Sequence, residues 1–323
     1  MSNQTSFSNN TFNSNNSLSM PQICIIDGNS DIYGLGIRIG FYLQWYASIL
    51  ASAPRGYSGK VASDEVQGLM FSIVLFTVAT FLALIIQTST LQLPEVYIIL
   101  LLVVGYHYYF IPKMFMALLS FIKQLLSKGE KDETGQKKHR GWEFILLAGL
   151  FFCAISCFQL WFWGGHFQDR NGKSNTCPSF GFGFIKIDLE NTAFRAFNIT
   201  YWVLLLILSF GVIMHACDLY IQKRKAPKSN FSSSSSTSLK SGAGSTRSSK
   251  EPNSKFDSIR FGILFIFMTV MVIAIEKSIM WNQITGVTTL AGAGQLIPFL
   301  IGLGSLFRVC YVGVKGDDRR EEL

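Results

Sequence analysis

Two charged side chains lie within apolar stretches of this chain, where a charge requires a partner. Arg38 follows a polar leader, and Glu276 lies near the end of a later apolar run. A rise of about 1.5 Å per residue puts Arg38 about 9 Å and Glu276 about 7–8 Å below the predicted helix ends. Isolated charges are costly in a membrane, so these depths predict a facing Arg38–Glu276 pair. Two alternatives remain open: Arg38 extends to the lipid headgroups, or it contacts an anionic ligand.

A second set of polar side chains is predicted near the middle of the membrane. Gln44, His107 and Gln295 each lie about 16–18 Å from the same ends of their predicted helices, by the same helical rise. Polar groups at that depth usually face the interior of a helix bundle. Hydrogen bonds between helices and the lining of a polar pocket both remain open as their role.

Three glycines near the start of the first apolar segment follow a close spacing. Gly34, Gly36 and Gly40 are arranged as small-x-small-x-x-x-small, and the last two form a Gly-x-x-x-Gly motif that lets a second helix approach closely. We therefore predict that they pack against another helix. A flexible segment that lines a cavity is the alternative.

The motifs of soluble enzymes are missing from the sequence. It contains no His-Glu-x-x-His motif, no phosphate-binding Walker loop and no Gly-x-Gly-x-x-Gly at the start of a helix. We expect no enzymatic activity, no cofactor and no metal site. Nucleic acid is not expected as a partner either, because the net charge of +8 comes largely from basic clusters in loops between apolar runs.

The composition and the apolar runs predict an all-α, polytopic membrane protein. Only 15% of the residues are charged, against about 25% in soluble proteins, and apolar runs long enough for a bilayer recur. We predict a leader (1–30), helices 1–5 (31–219), a disordered Ser-rich loop (220–258), helices 6–7 (259–312) and a tail (313–323). The seven predicted spans are residues 32–53, 67–89, 95–121, 142–163, 196–219, 259–281 and 285–312.

The distribution of Lys and Arg predicts the orientation of these helices. Four segments that share one side of the bundle hold 19 Lys and Arg, whereas the other side holds four. Because basic loops stay in the cytoplasm, we place the N-terminus outside and the C-terminus in the cytoplasm of a plasma membrane or endomembrane. Trp161, Trp163, Trp202 and Trp281 fall at predicted outer ends, which is typical of an interfacial belt.

The outer segments carry candidate modification sites. Asn3, Asn9 and Asn15 begin glycosylation triplets, although an Asn/Ser-rich leader also produces such triplets by chance. Cys24 and Cys177 are the two cysteines outside the predicted helices, on the side where disulfides form. We predict a Cys24–Cys177 bridge, with two unpaired thiols as the alternative.

The order of the loops resembles that of seven-helix receptors, with a long second outer loop and a long third inner loop. Their motifs are missing: helix 3 has no Asp-Arg-Tyr motif, and helix 7 has neither Asn-Pro-x-x-Tyr nor a retinal-binding lysine. The start of helix 1 resembles a group of uncharacterised multi-pass membrane proteins from filamentous fungi. This second resemblance implies a fungal integral membrane protein and no particular activity. It rests on Asp31-Ile32-Tyr33-Gly34-Leu35-Gly36-Ile37-Arg38 and on Gly40-Phe41-Tyr42-Leu43-Gln44-Trp45.

Three functions remain open at this point. The first is a receptor-like or sensor-like protein that reads an outer cavity through Arg38 and Glu276 and signals through the 220–258 loop. The second is a transporter or channel for a small solute or ion. The third is a membrane scaffold or chaperone. The lipid bilayer is a partner in each case, and a receptor needs a cytoplasmic partner at the 122–141 and 220–258 loops.

Overall fold

The computed structural model describes residues 24–51, 60–105, 118–119, 122, 142–166, 178–182, 184–225, 254–290 and 292–321. These residues are mostly helical. The helices are α1 (Ser30–Tyr33), α2 (Leu35–Ala51), α3 (Lys60–Gln87), α4 (Leu93–Gly105), α5 (Trp142–Trp161), α6 (Thr192–Lys225), α7 (Ser254–Trp281) and α8 (Ala293–Glu321). The strands are β1 (Ile26–Asp27), β2 (Phe180–Phe182), β3 (Lys186–Asp188) and β4 (Ile284–Thr285).

Five helices in the described part of the chain are long and apolar enough to cross a membrane. The qualifying segments lie in α3, α5, α6, α7 and α8. Helix α4 is a shorter apolar helix of 13 residues, and α2 has 17 residues including Arg38. Large apolar side chains such as Leu204, Ile263 and Phe307 are exposed on α6, α7 and α8, as expected of helix faces that contact lipid. A membrane-embedded helical protein is therefore supported.

The observed helix bounds correct several predicted ones. Helix 1 is divided at Gly34, and helix 7 starts at Ala293 rather than at residue 285 because the preceding residues form β4 and a turn. Residues 220–225 and 254–258, predicted as part of a disordered loop, are helical, as is the predicted tail up to Glu321. Apolar content marks where a helix leaves the membrane, whereas the helix continues through polar residues until a breaker.

Helix α2 is the centre of one part of the bundle. It packs against α1, α3, α7 and, most extensively, α8. The Phe41 ring lies 4.3 Å from the Phe76 ring of α3, and the Trp45 indole packs against Gly105 at the end of α4. We call α1–α4, α7 and α8 together the α2-centred region.

Helices α5 and α6 form a second part, here called the α5–α6 pair. They pack on each other, and a π-helical turn (Phe162–His166) follows α5. Aromatic side chains connect this pair to the α2-centred region. The Phe81 ring of α3 meets the rings of Phe151 and Phe158 edge-on at 5.8 and 5.5 Å, and the Tyr97 ring of α4 meets the Trp163 ring at 6.3 Å.

The short strands gather at one end of the bundle. β1 pairs in parallel with β4, so the leader segment 24–29 lies over the α7–α8 connection. β2 and β3 form a hairpin, which is fixed to α7 because Asn282 accepts from the Phe180 N–H and donates to the Phe180 carbonyl, at 2.8 and 2.7 Å. We call this the leader end.

Candidate functional site

Arg38 and Glu276 are in direct contact. Arg38 Nε donates to Glu276 Oε1 at 2.9 Å, and its Nη2 donates to Glu276 Oε2 at 3.4 Å. This fork-like arrangement is the geometry in which a guanidinium binds a carboxylate most strongly. Arg38 is only 1% exposed, whereas the Glu276 side chain is 40% exposed. The guanidinium is thus held inside the bundle and does not extend to the headgroups.

The remaining contacts of Arg38 are backbone carbonyls. Its Nη1 donates to the carbonyl of Tyr33 at 2.8 Å and to that of Val287 at 3.1 Å. A guanidinium has five N–H donors. Two of them are engaged by these carbonyls and two by Glu276, which makes four in all. Arg38 therefore has little capacity left for an anionic ligand, and it connects the end of α1 to the α7–α8 connection.

Two tyrosines extend this contact along α2. Tyr42 donates to Glu276 Oε1 at 2.8 Å, and the Tyr46 hydroxyl lies 3.0 Å from the Thr269 hydroxyl of α7. Arg38, Tyr42 and Tyr46 are four residues apart, so they share one helix face. Since their partners on α7 run backwards in sequence, α2 and α7 are antiparallel. The four-residue spacing of these side chains is visible in the sequence, but only Arg38 was among the predicted site residues.

A buried carboxylate, that of Glu95, was not predicted from the sequence. Glu95, in the first turn of α4, is buried. Its carboxylate accepts from the Tyr33 hydroxyl at 2.8 Å, from the Asn29 N–H at 3.1 Å and from the Gln92 N–H at 2.7 Å. The Gln92 contact is one half of a capping box, which also places the negative charge at the positive end of the helix.

Asn29 continues this network to α3. Its side chain donates to Gln87 Oε1 at 2.7 Å and accepts from the Asp31 N–H at 3.0 Å, where it caps α1. Together with Tyr33, whose carbonyl binds Arg38 and whose hydroxyl binds Glu95, it ties four helices and the leader into one polar network. An acidic residue in a first helical turn is an ordinary capping signal, so the sequence alone did not distinguish Glu95 from a surface cap.

The three glycines of the first apolar segment face α8. A Cβ atom at Gly36 would collide with the carbonyl of Gln295, and one at Gly40 with the carbonyl of Pro298. The contacts advance in the same direction along both helices, so α2 and α8 are parallel. A Cβ at Gly34 would meet the Ser30 carbonyl and the Gln295 side chain. These positions therefore serve close helix packing.

The predicted midplane layer is not formed by Gln44 and Gln295. Gln295 lies in the first turn of α8, and its Oε1 is 3.4 Å from the Gly36 N–H. Gly36 and Gln44 are eight residues apart on α2, which is about 12 Å along a helix. The misplacement follows from the predicted start of helix 7, eight residues before Ala293. His107 lies outside the described residues.

Gln44 itself is buried on α2. Neither its amide oxygen nor its amide nitrogen has a hydrogen-bond partner among the side chains and backbone that the structure describes. A buried, unpaired amide costs free energy, so Gln44 is not a stabilising contact within this part of the chain.

The cysteines and glycosylation triplets are only partly covered. Cys24 is disulfide-bonded, and Cys153, Cys157, Cys217 and Cys310 are free thiols. The predicted partner Cys177 lies outside the described residues. Asn3, Asn9 and Asn15 also lie outside them. The bridge and the glycosylation therefore remain predictions.

A cleft of about 290 Å³ lies between the α5–α6 pair and the α2-centred region. Half of its 16 lining residues are aromatic, so its walls are mainly flat rings. We call it the aromatic cleft. Its lining comes from residues 97–104 of α4, 194–202 of α6 and 267–274 of α7, together with Gln159, Trp163 and Phe184.

Two tryptophans assigned to an interfacial belt line this cleft instead. Trp163 and Trp202 are buried, because the neighbouring rings of Tyr97, Phe194 and Tyr201 surround them. Their side chains therefore do not face the lipid. The aromatic density of residues 158–202 was the available signal, but a belt and a cleft have the same composition.

Gln159 and Asn198 are the polar amides of the lining. Gln159 Oε1 accepts from the Trp163 indole N–H at 3.0 Å, and Asn198 donates to the Phe194 carbonyl at 2.9 Å. The lining contains no charged residue. No group of three or more potential metal ligands occurs within the parts of the chain that are described. The cleft can therefore take an uncharged, largely apolar molecule.

Comparisons with known proteins returned no relatives. No protein family, no curated protein and no solved structure matches this chain.

Proposed function

We propose that the chain is a seven-helix membrane protein with the leader end outside and the C-terminus in the cytoplasm. Five described helices meet the length and composition of a span, and α2 and α4 supply the other two. At 17 residues, α2 extends about 25 Å. The parallel α2–α8 and antiparallel α2–α7 arrangements are those expected of first, sixth and seventh crossings. The bias of 19 to four in Lys and Arg and the disulfide-bonded Cys24 support the orientation.

We propose further that the protein is receptor-like or sensor-like. The observation that carries this proposal is the aromatic cleft at the boundary between the α2-centred region and the α5–α6 pair. A ligand in such a position contacts both parts at once. It therefore favours the relative arrangement that fits it best, which is how binding shifts a conformational equilibrium.

The polar network holds one wall of the cleft in place. Helices α4 and α7 form one wall of the cleft and carry Glu95 and Glu276, whose partners hold them to α1 and α2. Ala274 lines the cleft two residues before Glu276. Occupancy is therefore expected to move the α5–α6 pair against a wall that stays in place, and so to change the distance between the cytoplasmic ends of α6 and α7, which flank the 220–258 segment.

The test uses a side chain as a permanent occupant of the cleft. Spin labels are attached at Ile221 on α6 and Ile259 on α7, both exposed and far from the leader end, with the four free cysteines replaced by serine. We expect Ala274→Phe to shift the label-to-label distance by roughly 1–2 Å or more. Ile263→Phe on the exposed face of α7 is the matched control and leaves the distance unchanged.

The alternatives predict other results. Val270→Trp fills the same cleft from a second position and guards against a local effect at residue 274. If neither filling variant changes the distance, the receptor-like proposal is wrong. Uptake of a solute into liposomes containing the protein then points to a transporter, and an inactive, invariant protein points to a scaffold.

A further inference from the structure

The lining of the aromatic cleft extends along three helices. The stretch of lining is eight residues long on α4 (Tyr97 to Val104), eight on α7 (Phe267 to Ala274) and nine on α6 (Phe194 to Trp202). At 1.5 Å per residue each stretch is about 10–12 Å long. The three walls are similar in length, and the space between them, called the slot below, is about as long as a fused four-ring system.

The lining of the slot is apolar with a few uncharged polar groups. Its amide groups are Gln159, near the end of α5, and Asn198, in the second turn of α6. Tyr201 adds a hydroxyl further along α6, whereas Val104 and Phe267 are apolar. A molecule that matches this lining is apolar along most of its length and has a small, uncharged polar group.

The mouth of the slot is marked by two exposed rings. Phe184, at the tip of the β2–β3 hairpin, and Phe197, in the second turn of α6, line the cleft but are 80% and 67% exposed. Ile185 beside Phe184 is also exposed. A group of exposed apolar residues often marks a surface that contacts a membrane or a partner, which agrees with a mouth that opens toward lipid.

We propose that the aromatic cleft binds a sterol-like lipid: a flat, uncharged, fused-ring molecule with a single hydroxyl group. The ring system lies between the aromatic walls and packs against their rings. The hydroxyl exchanges hydrogen bonds with the amides of Gln159 and Asn198. Because no charged residue lines the slot, the charged headgroup of a phospholipid has no partner there. This inference rests on the proposed function, since it names the ligand of the same cleft.

The test measures energy transfer from tryptophan to dehydroergosterol, a fluorescent sterol. Trp163 and Trp202 line the cleft and lie within contact distance of a bound sterol. The full chain is placed in nanodiscs of synthetic phosphatidylcholine, and dehydroergosterol is added with or without an excess of cholesterol as a non-fluorescent competitor. We expect a saturable transfer signal that cholesterol removes, above a linear background from sterol dissolved in the bilayer.

Two variants separate binding in the cleft from partitioning. Ala274→Phe fills the slot and is expected to weaken the saturable component by about tenfold, since the added ring occupies space that the sterol needs. Ile263→Phe, on the lipid-facing side of the same helix, leaves it unchanged. Asn198→Leu is expected to reduce the preference for dehydroergosterol over its 3-deoxy analogue, because the variant lacks the amide that contacts the hydroxyl.

The outcomes distinguish the ligand class from the function. If transfer is only linear, or if Ala274→Phe leaves the saturable part intact, the sterol assignment is wrong. Quenching of the cleft tryptophans by phosphatidylcholine with brominated acyl chains would then assign the slot to a lipid chain. The receptor-like function is tested separately, by the change that Ala274→Phe produces in the label-to-label distance without any ligand. The result of that test does not depend on which lipid binds.

Discussion

The contacts within the α2-centred region differ in kind from the described contacts that join it to the α5–α6 pair. Within the α2-centred region, Arg38, Glu276 and Glu95 make directional hydrogen bonds, and glycines bring the backbones of α2 and α8 together. At the boundary, the described contacts include edge-on ring contacts of Phe81 and Tyr97. The α5–α6 pair has directional contacts of its own, since Arg195 donates to the carbonyls of Trp163 and Gly164, so the difference lies at the boundary.

This difference indicates where the bundle can rearrange. A forked ion pair with two further carbonyl acceptors has one good geometry, and a helix pair in backbone contact cannot slide without collision. Aromatic rings interact over a broader range of offsets and angles, each pair contributing about 0.5–1.5 kcal/mol. The aromatic cleft lies at the boundary that can move, which is where a ligand-responsive site is expected.

The largest loss of stability is expected when the carboxylate of the Arg38–Glu276 pair is removed. In Glu276→Leu the guanidinium of Arg38, only 1% exposed, keeps two carbonyl acceptors but loses its counter-charge. Loss of one partner of a buried pair costs about 3–5 kcal/mol, and we expect about 3 kcal/mol because Glu276 is 40% exposed. Thermal unfolding in detergent measures the loss, with Lys277→Leu on the exposed neighbouring position as the control.

Exchange of the two charges tests whether the backbone contacts of Arg38 contribute to stability. We expect that Arg38→Glu combined with Glu276→Arg does not restore stability, since a carboxylate at position 38 would face the carbonyl oxygens of Tyr33 and Val287. A double variant as stable as the original protein would mean that the backbone contacts of Arg38 contribute little, and that the pair is a simple ionic contact.

Two glycines on α8 test the backbone contact of the α2-centred region. A Cβ at Gly302 would lie 2.6 Å from the Gly40 carbonyl, whereas one at Gly304 meets nothing within 4 Å. We expect Gly302→Ala to cost about 1–3 kcal/mol through forced separation of α2 and α8. Gly304→Ala is expected to be neutral or to stabilise α8 by up to about 1 kcal/mol, since alanine is the better helix former. Equal effects of the two substitutions on the unfolding temperature would contradict the close packing.

The aromatic connection is tested by a smaller change, at Phe81. Phe81→Leu removes the two edge-on contacts with Phe151 and Phe158 and keeps an apolar side chain. We expect a loss of about 1–2 kcal/mol, confined to the α5–α6 pair. Hydrogen exchange should become faster in α5 and α6 and stay unchanged in α2 and α7. Faster exchange in α2 as well would mean that the two parts unfold together and are not distinct.

The helical architecture was predictable because it depends on local composition. Runs of apolar residues located the described helices that are long and apolar enough to span a membrane, and a single arginine indicated where a partner carboxylate was needed. Helix ends were less predictable: Leu35 and Ala293 begin helices because Gly34 and β4 precede them, and strand pairing between residues 26–27 and 284–285 joins distant parts of the sequence. One error in a helix start was enough to misplace Gln295.

The site was predictable only where a side chain was unusual for its surroundings. Arg38 and Glu276 are charges in apolar runs, so they could be singled out. Glu95 is an ordinary residue for a first helical turn, and Trp163 is an ordinary residue for a membrane interface. Their roles depend on which helices are neighbours, and this information lies in long-range packing and not in local pattern. The aromatic cleft was missed for the same reason.

The smallest expected effect concerns Gln44, a buried amide on α2. Its buried amide has no partner in the described part of the structure, so replacing it with an apolar residue of similar size removes a desolvated polar group. We expect Gln44→Leu to leave the unfolding free energy unchanged or to raise it by up to about 1 kcal/mol. Gln295→Leu, which removes the acceptor for the Gly36 N–H, is expected to cost about 0.5–1.5 kcal/mol. A clear loss of stability in Gln44→Leu would contradict this expectation, because it would mean that the amide makes a stabilising contact.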